Sequence, residues 1–538
     1  MPARPLRTPT RLTALALALP LLAACGQGSA AAPTGPVEGG TLVFALAADP
    51  TCVDPHQVGN NQGLNVARQV VDSLTDQDPE TGEILPWLAE SWETDEDASS
   101  YTFHLREDVT FSDGEPLNAE ALAANFDAVV ELGALSVLGV GYLGGYTGTE
   151  IVDEHTATVH FDAPNTQFLQ ASSTMSLGLI SPASLESTTP EQRCQGEYAG
   201  SGPFSLEEYT PEQSVTVSRR DDYDWAPERF DHTGPARLAG IEFRIIPEAG
   251  VRTGALLSGQ VDAIADIPPQ DEERFADTDT AILTRPNPGL PFNLHPNLSS
   301  PNLADDPEIV QAIQLAIDRQ EVVDTVLSER YPVATGPLAA VTDHAVDLGD
   351  RLAHDPDAAA ELLEEAGWEV GDDGIRERDG RRLEVDVVFA ALFNANENAL
   401  ELIQQQLRAV GIDLTLRLST PAEQTAIQDS GEYDFVWYNS TRNDPDILRI
   451  IFSTEYTNRT NLEQDDELDS LLEEQAAAAD PEERGELVGR AQEHIIDSGY
   501  TIPVFEFAQV HGLAPHVHDI EFEASSRLSF YQAWVEEG

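Results

Sequence analysis

The chain has 538 residues and a mass of 58.3 kDa, too long for one compact domain and long enough for two or three with real cores. Hydrophobic residues at 41% and charged residues at 23% exclude a disordered or fibrous chain. Ninety-five acidic residues face 29 basic ones, all arginine, giving a net charge of -66; this excludes a binder of nucleic acid or anionic membrane, because no basic footprint exists to release counterions.

The first 24 residues hold no acid and three arginines, Arg4, Arg7 and Arg11. The apolar run Leu12 to Ala24, broken by Thr13 and Pro20, falls short of the roughly 20 residues a membrane span needs. Residues 1–24 therefore read as a secretory signal peptide. The end of the run, Leu22-Ala23-Ala24-Cys25 followed by Gly26, resembles the bacterial lipobox, which implies cleavage before Cys25 and lipidation of its thiol. The alternative is a chance cysteine beside an ordinary A-x-A cleavage site. Residues 25–39 are small, polar and Pro/Gly-rich, a flexible tether. No later apolar stretch approaches membrane-spanning length. Cys52 and Cys194 remain. An exported chain sits where disulfides persist, and two is the number that pairs; the alternative is two free thiols. With no C-x-x-C, a cysteine metal site is not expected.

Strand and helix patterns alternate through the rest of the chain. Tyr101, Phe103 and Leu105 alternate with polar residues, and a Ser112-Asp113-Gly114 turn follows Phe111, as in a hairpin. Ala119 to Leu132 places Leu122, Phe126, Val129 and Val130 on one helical face. Ala157, Val159 and Phe161 alternate as a strand. Asp355-Pro356 opens a helix that Gly367 ends. Leu400, Ile403, Leu407 and Val410 form a stripe stopped by Gly411, and Leu414, Leu416 and Leu418 then alternate as a strand. Asp480-Pro481 opens a helix with Leu487, Ala491 and Ile495 inward and Gly499 after it. A β-rich run, Ile502 to Ala508, follows. The class is α/β with antiparallel additions.

Catalytic motifs are not found. Gly139-Val140-Gly141-Tyr142-Leu143-Gly144 matches G-x-G-x-x-G, but it follows a helix and opens none, so these read as loop glycines. No G-x-S-x-G, H-E-x-x-H or P-loop occurs. His155 and His160 flank a strand on opposite faces, and His511, His516 and His518 read as surface histidines rather than a metal site. No metal and no cofactor are expected, and the chain is not read as an enzyme.

Three blocks carry a resemblance: Leu85-Pro86-Trp87-Leu88-Ala89-Glu90-Ser91-Trp92, then Tyr101-Thr102-Phe103-His104-Leu105-Arg106, then Thr110-Phe111-Ser112-Asp113-Gly114. Gly200-Ser201-Gly202-Pro203-Phe204 follows, then Arg252 with Ala255 to Asp262, Gln311-Ala312 with Ala316-Ile317-Asp318-Arg319, and Ala366-Gly367-Trp368. In this order, over about residues 40–525, the chain resembles the peptide/nickel (family 5) extracellular solute-binding proteins of ABC importers.

The resemblance implies a two-lobed, type II periplasmic-binding-protein clamshell, the large variant with a subdomain inserted in the first lobe. Carried over, lobe I covers 40–285 plus 505–538, with the insertion at about 64–195, and lobe II covers 286–504. The implied role is capture of a small solute between the lobes and delivery to an ABC permease, first of all a peptide or peptide-like compound. A sugar, opine or metal complex is the alternative cargo. The chain is expected to be a monomer held to the outer face of the cytoplasmic membrane by Cys25.

In peptide-binding relatives, a second-lobe aspartate pairs with the peptide α-amine. The equivalent segment here is Trp437-Tyr438-Asn439-Ser440-Thr441-Arg442-Asn443-Asp444-Pro445-Asp446, with Ser440 at the aspartate's place. A hydroxyl cannot pair a buried ammonium. Asp444 or Asp446 then either substitutes or caps the next helix. Arg442 either meets a ligand anion, as guanidinium forks do, or forms a structural salt bridge. Trp437 and Tyr438 are stacking candidates, one of which must face the core of an extended segment. In the first lobe Asp54 and His56, in Cys52-Val53-Asp54-Pro55-His56, either face the cleft or shape a turn; Asn293 is a similar candidate in the strand entering the second lobe.

Overall fold

The computed structural model describes residues 35–536 apart from 391, 392 and 394. Its folded body begins at Val37, so the signal segment and Cys25 lie outside the described residues. Two sheets organise the body. The first has seven strands in the order 281–286, 508–513, 263–264, 41–46, 240–245, 214–219 and 204–210. The second has five, in the order 413–419, 384–390, 435–441, 289–296 and 502–505. A four-stranded antiparallel sheet, 89–94, 100–105, 156–161 and 146–153, stands apart between the first and later strands of the seven-stranded sheet.

The local chemistry explains these elements. Strand Thr41–Leu46 is central, runs parallel to both neighbours, and buries Leu42, Phe44, Ala45 and Leu46 completely. Strand Gly289–Pro296 is buried throughout, yet it contains two prolines that cannot donate to a ladder. Its register shifts between Leu290 and Asn293, where Pro291 interrupts the pairing. Helix Ala119–Leu132 starts where Asn118 accepts the Ala121 N–H at 3.0 Å. It buries Leu122, Phe126 and Val129, while Val130, expected on the same face, is 39% exposed at its shoulder. Asp355 and Asp480 cap helices Pro356–Glu365 and Pro481–Asp497 through their side chains. The alternation of Leu414, Leu416 and Leu418 does not bury one face. Strand Asp413–Ser419 is a sheet edge, and Leu418 is 60% exposed at its end. Gly139–Tyr142 forms a short helix rather than a loop.

The chain crosses between the large sheets twice, after 286 and after 505, so the β-rich run from Ile502 divides into a strand of each sheet. The crossovers are tied together by the Asn287 N–H donating to the Phe507 carbonyl at 2.7 Å, and Gln509 Nε2 donating to Asn287 Oδ1 at 3.2 Å. Cys52 and Cys194 are bonded, with Cα atoms 4.2 Å apart.

One buried acid makes a pH prediction. Asp72 follows helix Asn61–Val70, is fully buried, and accepts the Trp225 indole N–H at 2.8 Å through one oxygen. Burial, only partly offset by Arg68 and the Trp225 bond, pushes its carboxyl up from 3.8 to about 7. A raised carboxyl contributes stability below its unfolded value and loses it as pH rises through the folded one. Asp72→Asn is therefore expected to gain on wild type by on the order of 4 kcal/mol between pH 4 and 8. Urea unfolding across that range reads the difference, and parallel curves would refute the assignment.

Candidate functional site

The space between the large sheets is bounded by the crossovers, the second-sheet strand Phe435–Thr441 with its continuation to Asp446, and the inserted subdomain. Gly289 places that strand. Its φ is +101°, and a Cβ there would lie 2.3 Å from the Ser440 carbonyl and 2.6 Å from the Arg442 nitrogen, so only glycine lets the crossover lie this close. The Arg442 N–H donates to the Pro288 carbonyl at 3.2 Å, and Asn287 Nδ2 donates to Thr441 Oγ1 at 2.8 Å. The 437–442 segment is thus held against the hinge.

Several expected contacts lie elsewhere. Asp54 is fully buried and pairs with Arg193 at 3.0 Å, and the His56 ring bonds the Gly178 carbonyl at 2.8 Å. Burial keeps His56 below the usual imidazole range despite Asp54 beside it. These two residues lock the turn beside the disulfide and do not face the cleft, because a buried carboxylate needs a cation at hand. Asn293 is buried in the second lobe and accepts from the Thr501 hydroxyl at 3.1 Å. Trp437 faces the core, stacked on Phe292 at 5.4 Å, and its indole N–H donates to Asn396 at 3.0 Å. Tyr438 turns to the other side, onto His295 at 4.4 Å.

The two aspartates are also spent. Asp444 takes a two-point bond from Arg484 at 2.6 and 2.9 Å, and Asp446 takes one from Arg449 with both distances 2.8 Å. Neither is a free partner for a ligand amine. Asn439 and Ser440 are half-buried and make no side-chain hydrogen bond with a described residue.

Arg442 differs from the other site cations. Its guanidinium lies over the Tyr142 ring of the inserted subdomain at 4.2 Å, and a Cβ on Gly141 would lie 3.4 Å from Nη2. Nη1 is buried with no hydrogen-bond partner, and no carboxylate of the described residues pairs with it. Arg527 repeats the pattern from the first lobe. It is 5% exposed, donates once to the Ser525 carbonyl at 3.2 Å, and leaves Nε unpartnered. Burial lowers its pKa to about 10, with Tyr142, Glu523 and Asp266 raising it in part. Ser526 donates to the Pro286 carbonyl at 2.7 Å, so Arg527 sits beside the crossover that also holds Arg442. Asp266 has φ +50°, a left-handed backbone rare outside glycine, and accepts from Gln62 at 2.7 Å.

Further out, a cavity of about 410 Å³ lies between the subdomain side (Gln77, Tyr101, Gln170) and the second lobe (Asn443, Asp444, Arg484). Asn443 Nδ2 donates across it to Gln77 Oε1 at 2.7 Å, and the Thr166 N–H reaches the Ala476 carbonyl at 3.3 Å. A wider depression of about 540 Å³ is lined by second-lobe residues alone, Arg417 to Ser430, at the sheet edge remote from the crossovers. No group of three or more His, Cys, Asp or Glu among the described residues is placed to hold a metal ion. No helix among them is long and apolar enough to cross a membrane.

Sequence reasoning missed Arg527, Tyr142 and Asp266. Tyr142 was hidden in a glycine-rich match, and Asp266 among 95 acids. Arg527 carried a signal: it is one of only 29 cations and lies in a serine-flanked segment, Ser525-Ser526-Arg527-Leu528-Ser529.

Two sheets joined by two crossovers around a cleft, with a subdomain inserted in the first lobe, define a two-lobed binding protein. The family model "Bacterial extracellular solute-binding proteins, family 5 Middle" matches residues 83–459, and the chain belongs to that family. It is 27% identical over 381 residues to the nickel-binding periplasmic protein of Escherichia coli (strain K12), covering 67% of this chain and 68% of that one. It is 24% identical over 514 residues to the glutathione-binding protein GsiB of the same organism, covering 92% of each. The crystal structure of NikA from Brucella suis in complex with Fe(III)-EDTA superposes with a TM-score of 0.81 at 25% identity, covering 92% of this chain and 100% of that one. These relatives are extracytoplasmic solute-binding proteins of ABC importers and not enzymes.

Proposed function

We propose that this protein is the lipid-anchored receptor of an ABC importer and captures a small solute bearing an acidic group in the cleft between its lobes. The observation that carries the reading is Arg442, a guanidinium at the lobe boundary with a buried N–H and no protein anion. A ligand carboxylate is the partner its fork suits. The lobes, 40–285 plus 505–538 and 286–504, close on the solute as rigid bodies about the paired crossovers, and the closed form is what the permease reads. The protein works as a monomer, with residues 1–24 removed, Cys25 lipidated and 25–39 as the tether.

The first cargo class is a peptide or peptide-like compound, supported by the glutathione-binding relative. A carboxylate chelate of a metal is the second reading. The two-point pairing of Asp444 and Asp446 supports it, since that pairing takes both carboxylates of segment 437–446 away from a peptide amine; the nickel-binding and Fe(III)-EDTA relatives agree with it.

Mass spectrometry of the solute that co-purifies, then thermal melts of the stripped protein with peptides, glutathione and metal chelates, tests the reading. A true ligand raises the midpoint by mass action. Arg442→Ala is expected to weaken that ligand by about 1.5–3 kcal/mol, the usual worth of a charged hydrogen-bonded pair. No co-purified solute and no shift from any class would sink it.

A further inference from the structure

We propose that Arg527 is a second anion anchor and that the cleft selects solutes carrying two acidic groups, one for each guanidinium. The inference rests on the reading that the cleft is the binding site.

Elsewhere in this protein buried cations are neutralised or multiply bonded. Arg193, Arg449 and Arg484 each hold a carboxylate at 3.0 Å or less. Arg68 holds Glu523 at 2.6 Å. Arg252 has no carboxylate but donates to four backbone carbonyls, those of Ala265, Ile246, Pro247 and Asp266. An unpaired buried charge is costly, and either solution removes that cost. The half-buried Arg285 has no carboxylate either, giving one bond to the Pro79 carbonyl and leaving Nε unpartnered. Arg527, which is buried, and Arg442, half-buried with its Nη1 enclosed, likewise have neither solution among the described residues, in a chain where acids outnumber cations more than threefold.

Their placement makes the exception meaningful. One comes from each lobe, and both lie beside the crossover at 286–288. Tyr142 stands between them: its ring lies under Arg442, its hydroxyl lies in the field of Arg527, and that hydroxyl bonds no described residue. The acids around Arg527 are committed or displaced. Glu523 is held by Arg68, and Asp266 accepts from Gln62 and forms no ion pair with Arg527. A solute with one acidic group satisfies one guanidinium and leaves the other buried without an anion as the lobes shut. A solute with two joins the lobes through its own charges, so closure and recognition become one event.

Titration calorimetry at fixed salt decides this, using glutathione, its monoethyl ester, citrate, Ni-EDTA and neutral N-acetyl dipeptide amides as probes. Alongside stands the acidic-group count of whatever co-purifies. The expected result is binding by probes with two or more free acidic groups, at least a tenfold loss on capping one of them, and at least a tenfold loss in Arg527→Gln and in Arg442→Gln separately. Arg527→Lys is expected to recover part of the loss. The capped probes act on the wild-type protein, so the test holds even if an Arg527 variant fails to fold. Tight binding of a solute with one acidic group or none, or an Arg527→Gln affinity within twofold of wild type, would overturn the inference while leaving the transport reading intact. Binding by no probe, with no solute co-purified, would overturn both.

Discussion

Breaking the Cys52–Cys194 bond, by reductant or by Cys194→Ala, is expected to lower the unfolding free energy by about 5 kcal/mol. The bond closes a loop of sequence separation 142, and the chain-entropy model assigns its benefit to the unfolded state, which loses the freedom of that whole loop. The segments it joins are packed for it: the Val53 N–H donates to the Cys194 carbonyl at 3.1 Å, and the Tyr198 hydroxyl donates to Val53 at 2.7 Å. Urea unfolding with and without reductant measures the effect, and the Cys52→Ala/Cys194→Ala double variant should match the reduced protein. A difference below about 1 kcal/mol would show that the reduced unfolded chain is already as restricted as the bonded one.

Asp444→Ala is the second change with a large expected effect, a loss of about 3–5 kcal/mol. The substitution removes no large side chain. It strands the Arg484 guanidinium, whose side chain is 10% exposed, beside the cavity wall with Gln475 as its one remaining acceptor among the described residues. Breaking one side of a buried pair costs more than the pair is worth, because the remaining charge stays buried. Replacing both partners with apolar residues of similar size, Asp444→Leu with Arg484→Met, should recover most of the loss. If the single variant melts as wild type does, the 444–484 pair is wetter than its burial indicates, and Asp444 returns as a partner for a ligand amine.

Helix boundaries were legible because their causes are local: Asp355 and Asp480 cap through their own side chains, and Gly367 and Gly411 sit at φ +86° and +91° after their helices. The α/β class and the two-lobed fold were legible for a different reason, an ordered series of family blocks. The site was legible only in part. Segment 437–446 was located, and Arg442 was named with a salt bridge as its alternative. That alternative fails because no carboxylate of the described residues comes within pairing distance, a fact about three-dimensional neighbours. The same holds for Asp444 and Asp446, whose partners lie 40 and 3 residues away. With acids this abundant, the sequence pattern could not tell which were taken. The rarer arginines carried more information per residue, and Arg527 was the one to follow.

The seven-stranded sheet has a consequence for how the protein is made. Strand 508–513 lies between 281–286 and 263–264, and it is the only described strand that 281–286 pairs with. The ribosome adds it near the end, so the first sheet stays split until almost the whole chain exists. A chain cut short at Phe507 lacks the inner strand of one sheet, the second crossover's anchor and Arg527 together. A product that stops there has one lobe with an unjoined sheet, so a cleft walled on both sides forms only when synthesis is nearly complete.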